Sequence, residues 1–377
     1  MSTLFIVLAF INLATWILMG SIFFSYLKSK PIFSGTSCSE KGIIYPSLSV
    51  VIPACNEEES IGKAISQLLD QDYPNFEVIV VNDRSTDRTR VILDKLKVIY
   101  PQLKVVNISD LPPNWLGKNH AVYQGVKEAT GEWLLFTDAD VMFSPGSLKK
   151  TVKYSMENKL DHLTITPDIT YKGFFYGGFI SFFVLVVTGF YLISKSAGIG
   201  AFNLIKRSTY QEIGGYERLA MQPVDDVSLG KLVVLKGYKQ GFGFSKGLIS
   251  VKLFDNLGAM LKGIEKNQFA SINYKFLPTL AFCWFILFLH VYPYAGMFLG
   301  SEWARAMCGF SIIILVAIYY HLKKYTVVSL RYVLIHPLSA ILYFWAVLNS
   351  MVKILSRGGL KWRGTVYSLD ELKKHTF

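Results

Sequence analysis

Residues Leu4 to Tyr26 form an unbroken apolar run without a charged side chain. As a helix, a run of that length spans the ~30 Å hydrocarbon core of a bilayer. No basic stretch precedes it, and it is too long for a signal-peptide core, so it is expected to remain as an anchor. Lys28 and Lys30 follow directly. Basic residues mark the cytoplasmic flank of a span, which places the next domain on that side of a cell membrane. Hydrophobic residues make up 51% of the 377-residue chain, room for one large domain plus several membrane segments.

Three further apolar runs fill the last third: Leu277 to Leu299, Cys308 to Tyr320 and Val327 to Leu348. Three crossings would put Lys353, Arg357, Lys361 and Arg363 outside, against the positive-inside rule. A hairpin followed by a re-entrant or interfacial third segment, broken at His336-Pro337, keeps every basic cluster inside. Phe174 to Ile193 is also apolar, but a single crossing there would separate Asp138 from Asp226. An interfacial or acceptor-facing helix is expected instead. The net charge of +12 suits an anionic membrane surface, at about 1 kcal/mol per basic residue near the headgroups. With so much apolar chain, no nucleic-acid partner is expected. Cys38, Cys55, Cys283 and Cys308 are scattered without CxxC spacing and are expected to be reduced.

The expected organisation is an anchor at 1–27, a Ser-, Gly- and Lys-rich linker at 28–47, and a catalytic domain at 48–275. Transmembrane or interfacial helices follow at 276–350, and a cytosolic basic tail at 351–377. Within the domain, strands are expected at 48–53, 76–81, 103–108 and 133–137. Helices are expected at 60–69, 88–98, 119–129 and 145–158, with a later one at 227–236. That alternation gives an α/β fold with a mostly parallel sheet covered on both faces. Ligands on such sheets bind beyond the carboxyl ends of the strands. Asn56-Glu57, Asn82-Asp83 and Asp138-Ala-Asp140 all fall there.

Two carboxylates one residue apart, Asp138 and Asp140, can hold Mg2+ or Mn2+ against a diphosphate. Taken alone, such a pair is as compatible with capping the helix near Ser144-Pro145. Asp83 can accept a hydrogen bond from a nucleobase N–H, and Asp87 can cap the next helix. Glu57 can reach ribose hydroxyls, or favour a helix start. Lys118, after Trp115-Leu-Gly117, stands at a helix N-terminus that attracts phosphate. Asp225-Asp226 opens a helix; Asp226 is a candidate general base, and the pair can equally be macrodipole partners. Lys361-Trp362-Arg363 combines cations and an aromatic, suited to a diphosphate, a sugar or a membrane-interface anchor. His120 and His336 show no metal spacing and are expected to be structural.

Together these motifs resemble glycosyltransferase family 2, with a GT-A fold, over residues 48–245. The resembling elements are Val50-Val-Ile-Pro53-Ala-Cys-Asn56-Glu57, Asn82-Asp83-Arg-Ser-Thr-Asp87, Gly117-Lys118, Asp138-Ala-Asp140, Gly214-Gly215 and Asp225-Asp226-Val-Ser-Leu-Gly230. The resemblance implies a nucleotide-sugar donor held by Pro53, Asn56, Glu57, Asp83, Lys118, Asp138 and Asp225. It implies Asp83 on uracil, Asp138 near the ribose, Asp140 on the metal and Asp226 as base. More narrowly, the anchor, Trp115-x-Gly-Lys118, His336-Pro337-Leu338 and Trp362-Arg-Gly-x-x-Tyr367 resemble the membrane-anchored branch with diaponeurosporenoate and hopene-associated glycosyltransferases. Asn82 stands where an acid is commoner in the family, and Asp225 where Glu is.

The Gln-x-x-Arg-Trp motif of processive synthases is missing; Lys262-Gly-Ile-Glu-Lys266 stands there. A single transfer is therefore expected, with Lys262 or Lys266 as possible diphosphate contacts. The implied reaction is inverting transfer of a hexose, with UDP-glucose as expected donor, to a membrane lipid such as a carotenoid or other isoprenoid. Polyprenyl phosphate and diacylglycerol are rival acceptors. A haloacid-dehalogenase-type phosphotransferase also uses DxD after a strand, but Met142 stands where it wants Thr or Val. Acids at four separate sites argue against a non-enzymatic scaffold.

Overall fold

The computed structural model describes residues 2–34, 42–362 and 365–375. Its contacts divide the chain into two units. One comprises Met1–Lys30, Tyr171–Ser194 and Leu253–Phe377; the other comprises Pro31–Thr170 and Lys195–Lys252.

The first apolar run is α1 (Ser2–Lys28), followed by β1 (Ile32–Ser34). Then come β2 (Leu48–Ala54), α2 (Ile61–Leu69), β3 (Phe76–Asp83), α3 (Thr89–Ile99) and β4 (Leu103–Ile108). Next are α4 (Gly117–Glu128), β5 (Trp133–Phe136), β6 (Met142–Phe143), α5 (Ser147–Glu157), β7 (His162–Thr166) and β8 (Asp168–Ile169). The apolar helix α6 (Phe174–Ser194) leads to β9 (Asn203–Lys206), α7 (Arg207–Glu212), α8 (Gly215–Arg218) and α9 (Asp225–Leu235). β10 (Gln240–Lys246) and β11 (Ile249–Val251) complete that series.

The remainder is mostly helical. It runs through α10 (Leu257–Gly263), α11 (Glu265–Ser271), α12 (Phe276–His290), α13 (Tyr292–Leu299) and α14 (Glu302–Leu322). A 3-10 turn (Leu330–Ile335) enters α15 (His336–Arg357), and the hairpin β12 (Gly359–Trp362) and β13 (Thr365–Ser368) precedes α16 (Leu369–Lys374).

The α/β unit is built on an eight-stranded sheet in the order β1-β10-β7-β9-β5-β2-β3-β4. Only β9 runs against its neighbours β5 and β7; the other pairings are parallel. The mostly parallel α/β fold expected from the sequence is therefore present. Every residue of β2 is buried, as a strand covered on both faces requires. Ile61, Ala64, Ile65, Leu68 and Leu69 form the buried face of α2. The order reverses beside β2: β3 and β4 lie on one side and β5 on the other. Ligand crevices open at such a switch point, beyond the carboxyl ends of the strands.

One buried network pins the loop between α6 and β9. His162 shares its two ring nitrogens with Asn203 Oδ1 (3.2 Å) and Gln240 Nε2 (3.0 Å). Gln240 Oε1 accepts from Ala197 N at 2.7 Å, and Asn203 Nδ2 donates to Ile199 O at 3.0 Å. Burial pushes the His162 imidazole down to about 4, so it stays neutral as a donor-acceptor bridge. The loop is drawn hard against α9. A Cβ on Gly198 would stand 1.7 Å from Asp226 O, and one on Gly230 would stand 1.8 Å from Ala197 O.

The helical unit turns apolar side chains outward: Leu4, Phe10 and Leu18 on α1, and Phe310 and Ile313 on α14 are exposed. Among the described residues, four helices are long and apolar enough to cross a membrane: Thr3–Lys28, Phe174–Ser194, Glu302–Leu322 and Leu330–Arg357. Several polar groups inside this unit are paired. Asn12 Nδ2 donates to Phe288 O (2.7 Å), Trp16 Nε1 donates to Leu289 O (3.0 Å), and His336 bridges His290 (3.0 Å) and Tyr319 (2.9 Å).

Three details differ from the expectation. Pro337 lies in the first turn of α15, where its missing N–H costs no helix bond, so it starts a helix rather than breaking one. The run from Leu277 to Leu299 is divided at Val291 into α12 and α13. Finally, the domain boundary falls at Leu253 instead of residue 275, because α10 and α11 pack on α15. Glu265 on α11 pairs with Lys353 (2.5 Å) and Arg357 (3.4 Å), so that basic cluster is partly neutralised. Cys55, Cys283 and Cys308 are in no disulfide among the described residues, whereas Cys38 lies outside them.

The close approach at Gly230 reverses an ordinary helix rule. Gly→Ala inside a helix normally stabilises by about 1 kcal/mol. Here Gly230→Ala should destabilise by about 1–3 kcal/mol, because the methyl group meets backbone. Urea unfolding of the two proteins checks it; a stabilised variant would show that the loop is not held against α9.

Candidate active site

The cleft is built from the ends of β2 and β5, the start of α4, the loop before β9 and the start of α9. It is lined by Pro53, Lys118, Asp138, Tyr216, Asp225 and Asp226, among others. Lys118, in the first turn of α4, is its electrostatic centre. Its ammonium lies 2.8 Å from Asp138 Oδ1 and 3.7 Å from Asp225 Oδ1. Burial alone would lower this amine, but Asp138, Asp225 and Asp226 outweigh burial and raise it. Lys118 is therefore a permanent cation at neutral pH.

Asp226 is held by backbone. Its Oδ2 accepts from Gly200 N at 2.7 Å and its Oδ1 from Val227 N at 2.9 Å. Burial, then the neighbouring Asp225 carboxylate, pushes it up to about 6, with Lys118 pulling the other way. Asp225 is 3% exposed, and its Oδ2 accepts from Tyr216 OH at 2.9 Å. The turn entering α9 is fixed by Asn119, whose Nδ2 donates to the carbonyls of Leu219 (2.6 Å), Ala220 (3.3 Å) and Gln222 (2.9 Å). One buried amide on α4 thus sets the register of both aspartates against Lys118.

Asp138 and Asp140 leave the end of β5 with half-buried side chains, separated by buried Ala139. Burial, then Asp138 and Glu57, pushes Asp140 up to about 7. Crowded carboxylates of this kind favour a bound cation. Among the described residues no group of three ligand-type side chains forms a complete metal cage. That donor set fits Mg2+ or Mn2+ bound by one or two carboxylates, with substrate phosphate completing the coordination.

The loops after β2 and β3 are zipped together. Asn56 Oδ1 accepts from Thr86 N (2.8 Å), and Asn56 N donates to Ser85 Oγ (3.0 Å). Glu57 N donates to Thr89 Oγ1 (2.8 Å), and Asp87 caps Thr89 N (2.9 Å) as the sequence suggested. Asn56 and Asp87 shape the loop, while Glu57 contributes charge to the acidic cluster beside Asp140. Asp83 is fully buried, with both oxygens on the Arg84 guanidinium.

Pro53, Lys118, Asp138, Asp225 and Asp226 converge on one cleft, and Glu57 and Asp140 form an acidic cluster with Asp138. Lys262, Lys266 and Trp362 belong to the helical unit. There the Lys266 ammonium sits 4.4 Å from the centre of the Trp362 ring, a cation–π pair. Arg363 lies outside the described residues. Sequence reasoning missed Asn119, Tyr216, Gly200, Asn203 and Arg84. Gly198-Ile-Gly200, two glycines two apart after an apolar helix, was the one local signal available for that loop.

Residues 49–213 match the family model described as Glycosyl transferase family 2. The chain is 24% identical over 345 residues to a 4,4'-diaponeurosporenoate glycosyltransferase of Staphylococcus aureus strain bovine RF122 / ET3-1, covering 87% of this chain and 90% of the relative. It is 23% identical over 346 residues to the protein of the same name in strain MRSA252, with the same coverage. Among solved structures, a mannosyltransferase from Pyrobaculum calidifontis, in complex with GDP-Man and Mn2+, superposes with a TM-score of 0.57. The superposition covers 90% of this chain and 99% of that one at 19% identity. The sheet, the DxD at the end of β5 and these likenesses converge: residues 49–213 match glycosyltransferase family 2, on a GT-A-like fold.

Proposed function

We propose that the protein is an inverting glycosyltransferase that moves one hexose from a nucleotide sugar, UDP-glucose as the expected donor, to a membrane lipid. The observation that carries this reading is the half-buried Lys118 ammonium among Asp138, Asp225 and Asp226 at the carboxyl edge of the sheet. A diphosphate leaving group needs positive charge, and the acceptor needs a base; this cleft holds both.

The Asp226 carboxylate takes the proton from an acceptor hydroxyl. The oxygen then bonds to the anomeric carbon from the face opposite the diphosphate. The bond between that carbon and the diphosphate oxygen breaks, and its electron pair leaves with the nucleoside diphosphate. Lys118 faces the developing charge. Pro53, Glu57 and Asp138 line the nucleoside side, and Asp83 with Arg84 lies at the base end. Asp140 would hold Mg2+ or Mn2+, which neutralises diphosphate charge when bound.

The apolar helices support a lipid acceptor, as does the name of the relatives, an isoprenoid carboxylate. Because β7 and β9 flank α6 in sequence and pair in one sheet, a single crossing by α6 would put them on opposite sides of a membrane. An interfacial, acceptor-facing α6 fits better. Lys28 and Lys30 favour a cytoplasmic α/β unit, and the positive net charge suits an anionic surface. Lys262, Lys266, Trp362 and Arg363 remain candidates for sugar or diphosphate contacts.

Asp226→Asn should bind UDP like wild type but lose hydroxyl transfer by about 100-fold or more. A carboxylate acceptor is already ionised and should depend far less on Asp226. For the hydroxyl reaction, wild-type rate should fall as pH drops through about 6, because the base is then protonated. Steady-state rates between pH 5 and 8 check both; wild-type hydroxyl turnover in the variant refutes the base assignment. Asp140→Ala should abolish the Mn2+ enhancement of UDP binding, measured by titration calorimetry. An unchanged enhancement would place the metal elsewhere.

A further inference from the structure

His336, conspicuous in the sequence beside Pro337, is the middle of a hydrogen-bonded chain inside the helical unit. Tyr319 OH lies 2.9 Å from His336 Nδ1, and His336 Nε2 lies 3.0 Å from His290 Nδ1. Tyr319 and His336 are fully buried, and Trp16, Phe182 and Tyr294 pack their rings around the two histidines. A ring buried in such apolar company is neutral, with one N–H and one bare nitrogen. The direction of the chain then follows. Among the described residues Tyr319 OH has no hydrogen-bond partner besides His336, so its hydrogen goes to His336 Nδ1. His336 therefore carries its proton on Nε2 and donates it to His290 Nδ1. His290 in turn carries its proton on Nε2, which has no acceptor among the described residues. The reverse direction would strand the Tyr319 hydrogen as well as a bare His290 nitrogen, and is the more costly arrangement.

His290 ends α12 and lines a cleft with Trp16 of α1, Tyr294 of α13 and Ser311 of α14. With Nδ1 turned to His336, Nε2 is the ring nitrogen left for the cleft. Leu289, Pro293, Ile312 and Leu315 also line it. The other side-chain donors there are spent on backbone carbonyls: Trp16 Nε1 on Leu289 O (3.0 Å), Tyr294 OH on Val333 O (2.9 Å) and Ser311 Oγ on Met307 O (3.2 Å). Ile17 and Leu18 beside Trp16, and Phe310 and Ile313 beside Ser311, are exposed, so the flanks suit hydrocarbon rather than water.

We propose that this cleft binds an uncharged lipid, with the His290 Nε2–H donating to one ester, ether or hydroxyl oxygen. The site lies in the helical unit and does not rest on the transferase reading. A single neutral donor cannot compensate a phosphate or carboxylate taken into an apolar setting, so the ligand is uncharged. A pure hydrocarbon would leave the N–H unpaired, so the ligand carries an acceptor.

The test is NMR of the full chain in detergent micelles with isotopically labelled histidine. Coupling across the N–H···N bond identifies the His290–His336 pair, and loss of one signal in His290→Gln separates its members. In wild type both rings should carry their proton on Nε2. In Tyr319→Phe nothing fixes the direction, and the share of His290 protonated at Nε2 should fall, with thermal melting as the folding check. Methyl palmitate and methyl retinoate, esters of an acyl and an isoprenoid chain, should move the His290 Nε2–H proton downfield in a saturable way. Octadecane, which has no oxygen, should not. The ester that saturates at the lower concentration distinguishes a bilayer lipid from an isoprenoid acceptor, and either result supports the site. A proton on His290 Nδ1 in wild type overturns the proposal. So do equal shifts from the esters and octadecane, or no shift from either ester.

Discussion

A single ammonium group organises the α/β unit's cleft. Lys118 stands among Asp138, Asp225 and Asp226 at a point where four polypeptide segments meet. Without it, buried carboxylates would repel one another and take up protons, as Asp140 and Asp226 already tend to do. With it, the cluster keeps one fixed positive charge facing several negative ones. That arrangement is costly to desolvate unless each group has partners. The partners are present: Tyr216 on Asp225, and the Gly200 and Val227 amides on Asp226.

The scaffold around this cluster is specified by contacts that leave no slack. Asn119 takes three carbonyls of the turn before α9. His162, Asn203 and Gln240 take the loop before β9 from the other side. Gly198 and Gly230 let that loop touch the helix backbone. Asp226 is thereby placed by two loops at once, which suits a base that must meet an acceptor in one orientation. The zipped loops after β2 and β3 serve the nucleotide end in the same manner.

Much of this was legible in the sequence, and the reasons differ by element. The expected strands and helices between residues 48 and 158 declare themselves through short apolar runs and period-3.6 patterns, and their ends agree within two residues; the two-residue β6 carries no such signal. The acidic strand ends were visible because carboxylates after buried strands are chemically conspicuous. β7, β9 and β10 were not identified, since each opens on a polar residue: His162, Asn203 and Gln240. Those residues are polar because they bond to one another, a fact only tertiary structure supplies. Arg84 carries no signal of its own in the sequence; its guanidinium lies on Asp83 only in the fold. His336-Pro337 misled for a local reason: proline breaks a helix interior but suits a first turn.

The helical unit joins apolar outward faces to internal polar pairs, as membrane helices require. The account's central claim is that the Lys118 cleft transfers one hexose to a membrane lipid. Mass spectrometry of membrane lipids, from a host with the acceptor expressing wild type or Lys118→Met, tests it most directly. The account predicts a lipid carrying one added hexose with wild type and none with the variant. Identical lipid profiles in the two strains, with both proteins folded in the membrane, would contradict it.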